Sequence, residues 1–227
     1  MVADLISNTR CCCRFGAGTD VFSREPFLAL WESTGGGGER FGTAPCHVTP
    51  DRVPEELAEM PAVYAAATDR WGAGITTILL GDFNADCSYL SASELAGLEL
   101  YTSALYSWLV DSAADTTVSG TDCAYDRIVV AGELAGSVTA ADASVLRFDL
   151  DLNLTTDLAA EVSDHYPVRV LVPWGNATGT GSSSAAGAIR SVNRPLLWTN
   201  VCHFLIDMGA GVPSSSETSV TAHWNMQ

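Results

Sequence analysis

Three short segments of this chain place acids, an amide and an imidazole where apolar runs begin or end. Gly81-Asp82-Phe83-Asn84 follows Ile75–Leu80, a branched apolar run that predicts a buried strand. Residues two apart on a strand share a face, so Asp82 and Asn84 can converge on one ion or phosphate. Hard oxygen donors of this kind suit magnesium, calcium or manganese. Asp126-Arg127 leads into Ile128–Ala131, and Ser163-Asp164-His165 leads into Val168–Val172, two further strand-like runs. Strand ends in α/β proteins are where ligands and metals gather.

The elements that must position these groups are uneven. Phe27–Trp31 predicts a strand, stopped by the glycines at 35–38. Arg40–Pro45 reads as a poor strand, with a glycine and a proline in a short run. Residues 51–71 predict a helix with Val53, Leu57, Met60, Tyr64, Ala67 and Trp71 on its inner side. Pro54 suits its first turn, whereas Pro61 is expected to break or kink its interior at a cost of roughly 3 kcal/mol. Ser91–Leu98 and Ser103–Val110 are short helical candidates, and Phe148–Val162 is a further mixed segment. Residues 1–19 match no pattern. From residue 173 the chain becomes rich in Gly, Ser, Ala and Thr, so 173–227 is expected to be a disordered tail opened by a flexible linker over 175–187.

Composition narrows the partners. The chain has 227 residues, 47% of them apolar, enough for a core. Its net charge is −16, with only 11 basic residues, which argues against a general affinity for nucleic acid. Any contact with DNA must then be local and assisted by a divalent cation. Seven cysteines include the run Cys11–Cys13 but no Cys-x-x-Cys pair, so they do not form a zinc pattern. Cys46 reads as a small buried apolar residue rather than a nucleophile. No secretory leader is visible at the N-terminus, and the apolar stretch 195–206 is too short to span a bilayer, so no membrane partner is expected. Asn153-Leu-Thr155 and Asn176-Ala-Thr178 would accept glycans on a secretory route.

The segments GDFNADCSY, CAYDRIVVAG and SDHYPV, together with DVFSREP at 20–26 and DSAADTT at 111–117, resemble the deoxyribonuclease I family of the endonuclease/exonuclease/phosphatase superfamily. They occur in the family's order and run from about Asp20 to Val172. The resemblance implies an α/β fold: part of a two-sheet sandwich flanked by helices, with the N-terminal half of the family's domain not visible. Half a sandwich would leave sheet edges and an apolar face uncovered, an aggregation risk.

The resemblance also implies the chemistry. Divalent-metal-dependent hydrolysis of DNA phosphodiesters with little sequence specificity needs an activated water, a neutralised phosphate and a proton for the leaving oxygen. Asp126 and His165 resemble the carboxylate–histidine pair that takes the water's proton, and His47 stands at the second histidine's position. Asp82, Asn84 and Asp164 would hold magnesium or manganese. Arg24, Tyr89 and Tyr125 resemble groups along the backbone of double-stranded DNA. Asp115, Thr117, Ser119 and Thr121 resemble one structural calcium loop, and Asp20, Phe22 and Glu25 a second. Cys87 and Cys123 sit at a family disulfide, which would contribute roughly 3–4 kcal/mol in chain-entropy models and fits an oxidising, extracellular setting. A truncated, catalytically weak or inactive fragment that acts only as a calcium- or partner-binding module is the alternative.

Overall fold

The computed structural model describes residues 3–10, 21–33, 40–174, 203–210 and 219–223. In chain order these form β1 (Ala3–Arg10), β2 (Phe27–Ser33), β3 (Arg40–Pro45), α1 (Val53–Trp71), β4 (Thr77–Asp82), α2 (Ala92–Leu95), α3 (Glu99–Thr102), β5 (Tyr106–Trp108), β6 (Asp126–Ala131), β7 (Ala143–Val145), α4 (Phe148–Asp151), α5 (Thr156–Val162), β8 (Val168–Trp174), β9 (His203–Ala210) and β10 (Ser219–His223). One sheet runs β1-β2-β3-β4-β6-β5, the other β10-β9-β8-β7. β3 and β4 are parallel and joined through α1, the crossover such a pair requires. β4 and β6 are antiparallel, which sets Asp82 directly opposite Asp126.

Alternation along the strands sorts the core into two layers. Ile78 and Leu80 of β4, Ile128 and Val130 of β6 and Phe41 of β3 turn one way, against Val168, Val170 and Val172 of β8. That layer is the inside of the sandwich. Leu79, Val129 and Ala131 turn the other way, under Val53, Leu57, Met60, Val63 and Ala67 of α1. The expected α/β sandwich with flanking helices is therefore present.

Three local expectations meet a different outcome. Arg40–Pro45 is a buried inner strand, paired with β2 on one side and β4 on the other. Its glycine leaves room for Trp71, since a Cβ on Gly42 would lie 2.5 Å from Cζ3 of that ring and the indole would have to shift. The weak strand composition thus reflects a helix end lying on the strand. α1 continues through Pro61 as one helix. Val53, Leu57, Met60 and Val63 are fully buried on either side of the proline, at roughly 1.5–3 kcal/mol for each large side chain, and outweigh its missing amide.

Residues 103–110 are not a helix: they hold β5, an edge strand. Tyr106 packs edge-on against Tyr64, and the Trp108 indole N–H donates to the Leu100 carbonyl at 2.7 Å. Tertiary packing overrides local propensity at this point. β9 runs parallel to β8 and β10 pairs with β9. β1 likewise pairs with β2. Cys11–Cys13, Asp20, the glycines at 35–38, the 175–187 linker and Asn176 lie outside the described residues.

Candidate active site

The site is built where β3 and β4 end and where β6 and β8 begin. Gly81 makes the close approach of β3 and β4 possible: it holds φ +150°, and a Cβ there would lie 1.7 Å from the Cys46 carbonyl oxygen. The Cys46 amide donates to Leu80 and the Val48 amide to Asp82, both at 2.9 Å, so the chain leaving β3 is laced to the end of β4. That lacing brings His47 Nε2 within 3.5 Å of Asp82 Oδ2. Asn84 then adopts a left-handed φ of 48°. Its amide donates to Asp82 Oδ1 at 2.9 Å and its Nδ2 donates to the Val48 carbonyl at 2.9 Å. With the nitrogen committed, the carboxamide presents its oxygen to any cation.

Opposite Asp82, Asp126 Oδ2 lies 2.6 Å from His165 Nδ1. Asp126 is 2% exposed, so the imidazole is oriented by a carboxylate held in the interior. Several groups hold the pair. The Thr116 hydroxyl oxygen accepts from the amides of Tyr125 (3.0 Å) and Asp126 (3.2 Å), and the hydroxyl donates to the Cys123 carbonyl. The His165 amide donates to Ser163 Oγ, Tyr166 N–H donates to the Thr116 carbonyl, and Val118 N–H donates to the Asp164 carbonyl.

Electrostatics follow from this crowding. Burial raises the Asp82 carboxyl, and Asp126 across the strand pair raises it further, to about 7 despite His165 and the Asn84 amide. Burial alone would lower His165, but the Asp126 hydrogen bond and charge, with Asp82 and Asp164 behind them, lift it to about 9. Burial lowers His47, with the nearby Arg24 and His165 adding to the effect. Burial also pushes the free thiol of Cys46 far above its ordinary value, as expected of an inert core group.

The remaining sequence-derived residues surround this centre at different depths. Asp164 is exposed beside His165. Tyr89 is 39% exposed and lies tilted against Tyr125 at 5.3 Å, ring centre to ring centre, and Tyr125 lies 6.2 Å from His165. This row of rings is not core packing. Arg24 and Glu25 are exposed and Phe22 is buried. Asp115 and Thr117 lie next to Thr116, Ser119 and Thr121 at the outer end of the same loop. Cys87 and Cys123 are joined in a disulfide beside that loop.

Sequence reasoning missed three supports. Glu56 is fully buried and accepts the Ser23 and Thr49 amides at 3.1 Å each, tying the segment before Arg24 to the segment after His47. Thr116 is the second. Arg127 is the third. It is 1% exposed, not part of a surface ion pair, and donates to the carbonyls of Val110 and Ala85 at 2.8 Å while lying over Trp108. No triad of His, Cys, Asp or Glu among the described residues forms a ready metal cage. Asp82, with Asn84 beside it and Asp164 near enough to raise its carboxyl, offers oxygen donors of the kind that hard divalent cations take. No helix among them is long and apolar enough to cross a membrane.

No family model matches the chain. Deoxyribonuclease-1 of Ovis aries is 40% identical over 154 residues, 67% of this chain and 59% of that protein. Deoxyribonuclease-1 of Homo sapiens is 39% identical over 156 residues, 68% of this chain and 55% of that protein. Among solved structures, a humanized D. rerio TDP2 aligns with a TM-score of 0.48 at 15% identity, covering 73% of this chain and 65% of that one. The aligned two thirds of this chain is homologous to deoxyribonuclease-1, of which it spans 54–59%.

Proposed function

We propose that residues 20–172 form the working part of a deoxyribonuclease I-like endonuclease, which hydrolyses DNA phosphodiesters in a divalent-metal-dependent manner and with little sequence specificity. The observation that carries the reading is the Asp126–His165 pair, set directly across from the buried carboxylate of Asp82. Asp126 fixes His165 with Nδ1 toward itself, so Nε2 is the nitrogen free to act on a water. His165 takes the proton from that water as its oxygen bonds to phosphorus. The bond from phosphorus to the leaving oxygen breaks, and His47, entering the step protonated, donates its own proton to that oxygen.

Asp82, Asn84 and Asp164 would hold magnesium or manganese, whose positive charge would neutralise the phosphate. Neutralising Asp82 and Asp164 also removes two of the charges that raise His165, which brings the imidazole back toward the range of a base at neutral pH. Arg24, Tyr89 and Tyr125 line the approach as contacts for the backbone of double-stranded DNA. Such contacts carry no base code. With the chain at −16, binding rests on these few groups and the cation rather than on a broad basic face. The Cys87–Cys123 bridge supports an extracellular setting.

Conversion of supercoiled plasmid to nicked circles tests the reading. The purified chain in millimolar magnesium is expected to nick, chelation to stop it, and His165→Ala or Asp82→Ala to abolish it. Nicking that is absent, or unchanged in both variants, refutes the proposal.

A further inference from the structure

The loop over residues 115–121 carries one carboxylate and four hydroxyls, and each is already engaged. Asp115 Oδ1 accepts the Thr117 amide at 3.0 Å and lies 3.0 Å from the Thr117 hydroxyl. That hydroxyl is also 2.6 Å from the Thr121 carbonyl, and the Ser119 and Thr121 hydroxyls bond to one another. On the other side stands Arg147. Its Nη1 is 3.8 Å from Asp115 Oδ2. Its Nε and Nη2 donate in parallel to the two oxygens of Asp149, at 3.1 and 2.9 Å. Its guanidinium lies 4.4 Å over the ring of Tyr166.

These residues do not fit calcium. The ion takes six to eight oxygens, with carboxylates foremost. Here the second nearby carboxylate is occupied by a guanidinium, and the same guanidinium faces the first. A forked cation lying on an aromatic ring and gripping a carboxylate through two bonds is fixed in place, unlike a mobile surface ammonium. We propose that Arg147 is a tethered counter-ion: it supplies to the 115–121 loop the positive charge that the family resemblance assigns to calcium, so the loop keeps its shape without the metal.

The consequence reaches the candidate active site. Thr116 in this loop holds the amides of Tyr125 and Asp126, Thr117 bridges to His165, and Val118 donates to the Asp164 carbonyl. Arg147 touches no reacting atom. It is a positioning residue that acts through Asp115 and through Tyr166, the neighbour of His165. This inference stands on the loop alone and survives if the chain is not a nuclease.

Thermal unfolding of the full chain in EGTA, in millimolar calcium and in millimolar magnesium separates the outcomes. The magnesium arm corrects for general screening of an acidic protein. The wild type is expected to show the same midpoint in calcium as in magnesium. Arg147→Met is expected to melt about 3–6 °C lower in EGTA and to regain a similar amount in calcium but not in magnesium. Arg147→Lys, which keeps the charge and loses the fork, should fall between. A calcium-specific rise in the wild type overturns the proposal, and so does an Arg147→Met chain that responds to calcium no more than the wild type. If Arg147→Met does not fold, titration calorimetry of calcium into the wild type and Asp115→Asn decides. Equal heats support the proposal, and heat that disappears with Asp115→Asn refutes it.

Discussion

The two histidines of the candidate site are placed by different means. His165 is held by its side chain: Nδ1 lies 2.6 Å from an interior carboxylate, and the loop behind that carboxylate is pinned by Thr116. His47 is held by its backbone: the amides on either side of it are bonded to β4, while its side chain is 26% exposed and makes a looser 3.5 Å contact with Asp82. Backbone lacing sets where an imidazole is. Only a side-chain partner sets which way it faces and which nitrogen carries the proton. The two sides therefore differ in preorganisation, which is the quantity that decides how much a catalytic group contributes.

The sharpest way to break this comparison is to delete each imidazole in turn. Rates of plasmid nicking are expected to fall on the order of 10²–10⁴ for His165→Ala and by less, on the order of 10–10², for His47→Ala. Equal losses would show that the looser contact tightens on substrate and that the difference is a property of the chain without substrate. A smaller effect is expected from Thr116→Val. It strips the acceptor from the buried Asp126 amide and the half-buried Tyr125 amide, each worth up to about 1–3 kcal/mol when left unpaired, so urea denaturation should show a loss of about 2–4 kcal/mol. A loss near zero would mean that the Asp126 side does not depend on this hydroxyl.

The gentlest probe is pH, in EDTA. His165 titrates at about 9 in the folded chain against about 6.5 when unfolded. The folded state therefore binds the extra proton. The stability it confers is complete below about pH 6.5 and is lost as pH rises through 9. Asp82, raised to about 7 from 3.8, acts in the same sense over a lower window, since the folded chain again holds a proton that the unfolded chain has released. Stability should thus decline in two steps from about pH 4 to 9, and His165→Asn should remove the upper step, worth about 1–3 kcal/mol. An upper step that persists in the variant would place the titration elsewhere.

Much of this site was legible because its chemistry sits at strand ends, and strand ends are visible as the borders of apolar runs. Asp82, Asn84, Asp126 and His165 all lie within a few residues of such a border. The supports were not legible, because each reaches across the fold. Glu56 bonds an amide 33 positions away, and Arg127 a carbonyl 42 positions away. Neither partner has any mark in its local sequence. β3 and α1 teach a related lesson. Gly42 and Pro61 count as breakers by local rule, yet one makes room for Trp71 and the other is outvoted by a buried stripe. β5 was misread because alternating aromatics over three residues do not outweigh a helical pattern until Tyr64 and the Leu100 carbonyl are in place.

Gly81 offers no atom to any substrate, yet the site is organised around its missing side chain. Every other residue there would overlap the Cys46 carbonyl and also force a backbone angle that L-residues rarely adopt. In a library of random substitutions screened for nicking, position 81 should therefore tolerate as little as His165 does. An investigator reading only the surviving variants would count it among the catalytic residues. A second screen, for soluble folded protein, would expose the error: His165 variants would return, and Gly81 variants would not.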